Sequence, residues 1–179
     1  MNKGTVFQGT TQQELQEFLR DGGSLESCET TNGKNAIHFA VLDGNVGLVE
    51  ALLEAGMDVN GKTTYGFTPL HFSLHAAKDT DVAVMRLLLH KGADLSLKNY
   101  AAQTPLQFLL EDWNNTGKRA VNALFTLVEH GADIFEKNRA GLNAFQLACY
   151  KGDPLAVEYL LNQGATVEPR WGRIHLLKL

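Results

Sequence analysis

The chain has 179 residues, 44% apolar and 20% charged, with a formal net charge of −4. That length suits one domain with room for a core, and its scattered Lys and Arg argue against nucleic acid or an anionic membrane as the main partner. No stretch approaches the ~18 consecutive apolar residues that a membrane span needs, and Met1–Gln8 has no apolar leader segment.

The first predicted element is a helix near Thr11–Arg20, with Leu15, Phe18 and Leu19 facing inward, ending at Gly22-Gly23. Two phrases then alternate. The first is Asn35-Ala36-Ile37-His38-Phe39-Ala40, followed by the second, Leu53-Glu54-Ala55-Gly56-Met57-Asp58-Val59. The clearest copy of the first is Thr68-Pro69-Leu70-His71-Phe72-Ser73, and its companion is Leu89-His90-Lys91-Gly92-Ala93-Asp94-Leu95. Thr104-Pro105-Leu106-Gln107-Phe108-Leu109 precedes Val128-Glu129-His130-Gly131-Ala132-Asp133-Ile134. Asn143-Ala144-Phe145-Gln146-Leu147-Ala148 precedes Leu161-Asn162-Gln163-Gly164-Ala165-Thr166-Val167. The last segment, Arg170–Leu179, resembles another unit cut short, either a degenerate cap or the edge of a longer array.

Gly22, Gly56, Gly92, Gly131 and Gly164 are spaced by 34, 36, 39 and 33 residues. From each motif start to the next glycine the distances are 21, 24, 27 and 21, whereas the return segments take 13, 12, 12 and 12. The extra length therefore falls between the two helices of a unit, near His75–Asp81 and Glu111–Lys118. Thr68 reads as an N-cap with Pro69 at the first helical position, and Asp153-Pro154 repeats the arrangement. Gly56, Gly92, Gly131 and Gly164 stand where a left-handed residue stops a helix. Gly33, Gly66 and Gly141 suit a tight turn with positive φ. Ala102 replaces glycine in the equivalent turn, which predicts strain or a different shape there.

A period near 33 residues carrying Thr-Pro-Leu-His is the mark of a repeat array, and these residues resemble the ankyrin-repeat family over roughly residues 11 to 168. The resemblance implies an all-α fold: a solenoid of stacked helix-turn-helix units with β-hairpin fingers. The expected organisation is a single domain, 1–179, with an N-terminal cap at 1–30. Repeats then follow at 31–62, 63–98, 99–137 and 138–169, and a degenerate cap or truncated repeat at 170–179. The family's common role is protein recognition through hairpin tips and inner helices, without catalytic chemistry. It also implies that His38 and His71 are structural, bonding backbone between neighbouring units.

A unit that cannot bury its own apolar face must lean on its neighbours, leaving an extended surface of side chains the core does not use. The candidate partner-binding residues on that surface are Tyr65, Phe67, His75, Tyr100, Gln103, Trp113, Arg139, Leu142, Tyr150 and Lys151. Tyr65, Phe67, Tyr100, Trp113 and Tyr150 form an aromatic line of the residue types that dominate interface hot spots. Trp113 lies beside Asn114-Asn115-Thr116-Gly117, a polar loop on the longer insertion.

No metal-ligand, nucleophile-elbow or phosphate-loop pattern occurs, so no catalytic residue, metal or cofactor is expected. Cys28 and Cys149 lie 121 residues apart, towards opposite ends of an array, which fits two thiols in a reducing, cytoplasmic setting. The leading expectation is a monomeric, non-enzymatic module that binds another protein and inhibits or recruits it. Alternatives are a regulatory or targeting piece of a larger enzyme, a bacterial effector acting inside a host cell, and a toxin-immunity protein. His75 is a third-ranked candidate for a small-molecule or metal site. Asn60 resembles substrates of asparaginyl hydroxylase, though the same position serves hairpin structure.

Overall fold

Local capping sets where each helix begins. In a computed structural model, which describes residues 31–75, 82–111 and 118–166 together with Gln13, Glu14, Glu17, Arg20 and Asp21, Thr68 is the N-cap of a helix that starts at Pro69. The Thr68 hydroxyl donates to Nδ1 of His71 at 2.9 Å. Asp153 caps the last described helix by accepting from the backbone N–H groups of Leu155 and Ala156 at 3.1 and 3.2 Å. An oxygen at that position satisfies amides that lack a partner within the helix.

The described helices are α1 (Ala36–Leu42), α2 (Val46–Glu54), α3 (Pro69–Ser73), α4 (Ala83–His90), α5 (Pro105–Glu111), α6 (Lys118–Glu129), α7 (Ala144–Lys151) and α8 (Pro154–Asn162). Gln13, Glu14, Glu17 and Arg20 are also helical, within the first predicted helix. Leu15, Phe18, Leu19, Cys28, Trp113, residues 76–81 and 112–117, and Arg170–Leu179 lie outside the described residues.

Packing follows two rows. Helices α1, α3, α5 and α7 touch in sequence, as do α2, α4, α6 and α8, and each odd helix touches the even one that follows it. Between the rows lies one core, with Ile37, Leu48, Leu52, Leu70, Leu88, Leu106, Leu124, Leu127 and Leu160 almost fully buried. The leucines at equivalent places in successive second helices, Leu52, Leu88, Leu127 and Leu160, form its spine, each contributing roughly 2 kcal/mol by leaving water. After each second helix the backbone turns left-handed: Gly92 has φ 89°, and the next amide, Ala93 N–H, donates back to the Leu88 carbonyl at 2.9 Å.

The segments between units are tight turns, and no strand occurs among the described residues. Three of the turns are closed by one repeating backbone bond: Thr63 N–H to Phe67, Asn99 N–H to Gln103 and Asn138 N–H to Leu142. Ala102 adopts φ 61°, beside 78° at both Gly66 and Gly141. The turn thus keeps the shape glycine gives elsewhere, and the expected strain falls on an alanine held in the left-handed region.

Side chains then join one unit to the next. Nε2–H of His38 donates to the Gly61 carbonyl, and Nε2–H of His71 to that of Gln103, both at 3.2 Å. In the third unit Gln107 does the same with its amide, donating to Glu136 O at 3.1 Å. Asn60 bridges further, accepting from Asp94 N–H at 2.8 Å and donating to Gly92 O at 3.3 Å.

Candidate functional site

Successive turns are tied at their tips: Thr64 N–H donates to Asn32 O and Tyr100 N–H to Tyr65 O, each at 3.0 Å. These bonds satisfy the tip backbone and leave the side chains outward. Tyr65 is 58% exposed and Tyr100 77% exposed, a large apolar area for residues held on satisfied backbone. Tyr150, 55% exposed, stands near the end of α7. Arg139 and His75 are exposed as well.

Phe67 does not belong to that outer line. It is half-buried, and its ring meets those of His71, Phe72 and Phe108 at centroid distances of 5.7, 5.9 and 5.3 Å. The reason is the turn bond that draws the Phe67 carbonyl to Thr63 N–H and seats residue 67 beside α3. His75 extends the cluster edge-on to Phe108 at 5.0 Å, and the Lys34 ammonium lies 5.0 Å above the Phe72 ring. Together with Asn32, Thr63 and Tyr65 these residues line a groove of about 290 Å³ with a largely aromatic floor.

Further along, a chain of amides crosses from one unit to the next. Asn99 Nδ2 donates to Gln103 Oε1 at 2.8 Å, Gln103 Nε2 donates to one carboxylate oxygen of Glu111, and Asn138 Nδ2 donates to the other. Gln103 is thus a half-buried strut rather than a rim residue. Beside Glu111 lies a second groove of about 250 Å³, bounded by Leu110, Leu142, Leu147, Tyr150 and Lys151. Leu142 and Lys151 are half-buried there, and Lys151 Nζ donates to Leu109 O at 3.4 Å. Helix α5 serves both grooves, with Phe108 in the first and Leu110 and Glu111 in the second.

The sequence reading missed Phe72 and Phe108. Their signal was present: the fifth motif position is Phe39, Phe72 and Phe108 in three consecutive units, and all three are half-buried. It also missed Phe135, 55% exposed after the third glycine turn.

The histidines of the motif are held neutral. Burial lowers both His38 and His71 to a pKa of about 4, and the nearby charges of Lys34 and Lys62 push the same way. His130, at the end of α6, donates from Nδ1 to the Thr126 carbonyl at 2.7 Å, satisfying a helix C-terminal acceptor. Cys149 is half-buried, and burial raises its thiol pKa. Among the described residues no three His, Cys, Asp or Glu side chains gather into a metal-binding group, and no helix is long and apolar enough to cross a membrane.

The family model described as ankyrin repeats (3 copies) matches residues 7–99, more than half of the chain, and a second, ankyrin repeats (many copies), matches residues 118–161. Among curated proteins the chain is similar to the potassium channel AKT3 of Oryza sativa subsp. japonica, 42% identical over 55 residues, covering 31% of this chain and 6% of the channel. The ADP-ribosylation factor GTPase-activating protein AGD1 of Arabidopsis thaliana is 39% identical over 54 residues, 30% of this chain and 6% of that protein. Protein phosphatase 1 regulatory subunit 12A of Mus musculus is 32% identical over 66 residues, 37% of this chain and again 6% of the relative. The chain thus spans only a small fraction of the length of the curated relatives it matches.

Proposed function

We propose, for a chain that belongs to the ankyrin-repeat family, a non-enzymatic role as a protein-binding module acting through the face of its turn tips and odd-numbered helices. Ankyrin repeats are protein-interaction modules, and the two-row packing reads as their solenoid, with 1–179 as one domain. The observation that carries the reading is the pairing of exposed Tyr65 and Tyr100 with the aromatic groove immediately behind Tyr65. Apolar area of this kind, set on backbone that is already hydrogen-bonded, loses little ordering entropy when a partner covers it. Aromatic anchors of this type supply most of the energy in protein interfaces. Binding then acts by occlusion or recruitment, inhibiting the partner or bringing it to a site.

The test is the triple substitution Tyr65→Ala, Tyr100→Ala, Tyr150→Ala, which changes exposed side chains and leaves the core untouched. Affinity for a partner captured from the source cell should fall at least tenfold, with the helical circular dichroism unchanged. Undiminished affinity in a folded triple variant removes this face from the interaction.

A second reading, a regulatory or targeting segment of a larger protein, is favoured by the 6% share of each of the three relatives that the similarity covers. Sequencing the transcript beyond the codon for Leu179 tests it. An open reading frame that continues into a further domain supports it, and an immediate stop codon removes it.

A further inference from the structure

Two histidines outside both grooves meet across neighbouring units. His90 ends α4, and His130 directly follows the last residue of α6. Both are exposed, and their ring centroids stand 5.7 Å apart with the ring planes at 79°. Helices α4 and α6 are neighbours in the row of second helices, so stacking of the units brings together two imidazoles that lie far apart in sequence.

One of the rings is already oriented. His130 donates its Nδ1–H to the Thr126 carbonyl at 2.7 Å, which leaves Nε2 of the uncharged ring with its lone pair. A backbone carbonyl that holds the other ring nitrogen is the usual support of a metal-ligating histidine. The spacing agrees. Two imidazoles bound at about 2.0–2.1 Å to one tetrahedral ion place their centroids roughly 5 Å apart, so a small turn of an exposed ring closes the difference from 5.7 Å.

The charged residues beside the pair in sequence are engaged elsewhere. Lys91 Nζ lies 3.9 Å from the Glu50 carboxylate of α2, and Glu129 acts on Tyr159 of α8, whose hydroxyl pKa is raised by burial and by that charge. Both helices end in carbonyls that favour a cation. Two protonated imidazoles in ring contact would repel each other; one divalent ion shared by their lone pairs brings positive charge to both helix ends without that repulsion.

We propose that His90 and His130 form a site for zinc or a similar borderline divalent ion, held by two imidazole nitrogens and completed by water. Such an ion staples the second helices of two consecutive units. Calcium and magnesium, which take oxygen ligands, do not suit it. Because the pair is assembled only when the units are stacked, bound metal stabilises the stack.

The probe is zinc chloride, titrated into the full chain by isothermal calorimetry in a non-chelating buffer. One saturable equivalent is expected, with affinity at least tenfold lower in His90→Gln and in His130→Gln, while His75→Gln changes nothing. Zinc should raise the melting temperature of the unaltered chain and of neither of the first two variants. His90→Cys should recover zinc binding, since a thiolate is also a zinc ligand, a gain that a misfolded chain cannot give. On the unaltered chain, zinc should shift the ring-nitrogen NMR signals of His90 and His130 together, and calcium should shift neither. Zinc affinity indifferent to both substitutions, or signals shifted at other histidines in their place, means adventitious surface binding only and overturns the proposal. Absence of zinc binding, or an equal response to calcium, overturns it as well.

Discussion

Gly66 and Tyr100 fit each other so closely that a Cβ on Gly66 would stand 2.9 Å from Tyr100 Cδ1 and 3.1 Å from both Tyr100 N and Asn99 Cα. Two of those neighbours are backbone atoms and cannot step aside. Gly66 also holds φ 78°, a region that costs an L-residue about 1–2 kcal/mol. Gly66→Ala should therefore destabilise the chain by roughly 2–3 kcal/mol, read from the urea midpoint at constant slope. Adding Tyr100→Ala should recover only the part due to the ring contact. Full recovery would mean the backbone contacts do not matter.

Ala102 supplies the converse case. It carries φ 61° where its counterparts are glycines, so Ala102→Gly removes strain at some entropic cost to the folded state. A net gain of about 1 kcal/mol is expected, visible as a higher melting temperature. A loss of stability would show that the turn tolerates the alanine without strain.

Acid should weaken the first two complete units. His38 and His71 bind protons only near pH 4 when folded, against about 6.5 when unfolded. Between those values the unfolded chain takes up protons that the folded chain refuses. Stability is therefore full above pH ~6.5, falls as pH drops towards ~4, and levels off below, by up to about 3 kcal/mol per histidine. Gln107 and Gln146 show the neutral alternative, each accepting the N-cap amide through Oε1 at 3.1 and 2.9 Å. His38→Gln with His71→Gln should keep the fold and flatten the dependence of the urea midpoint on pH across that window. An unchanged slope would place the acid sensitivity elsewhere.

Glu111 anchors two amides from different units through its two oxygens. Glu111→Ala leaves Gln103 and Asn138 each short of a partner and should cost about 1–3 kcal/mol. Hydrogen exchange should rise around residues 99–103 and 138–142 before it rises in the core. Uniformly faster exchange would count against a local strut.

The repeat architecture was legible because punctuation recurs. A proline after threonine and a glycine after a leucine-rich helix each have a single mechanical use, and Thr68, Pro69 and Gly92 fill those uses as read. The rim was legible in part: Tyr65, Tyr100 and Tyr150 stand outward at positions the core does not need. Phe67 and Gln103 resisted, because their roles depend on which ring or carboxylate a turn brings near. Glu111 sits eight residues from Gln103 and 27 from Asn138, separations with no local signature. Phe72 and Phe108 were hidden for a different reason. Inside a helical motif a phenylalanine reads as core, and only its return at one register reveals a shared groove.

The change from imidazole to carboxamide along the odd-numbered helices also sets a direction. His38 and His71 tie the early units together with groups that acid can charge, whereas Gln107 and Gln146 occupy the same register with groups it cannot. Mild acidification would loosen this protein from one end, dismantling the aromatic groove while the aliphatic one beside Leu142 is still in place.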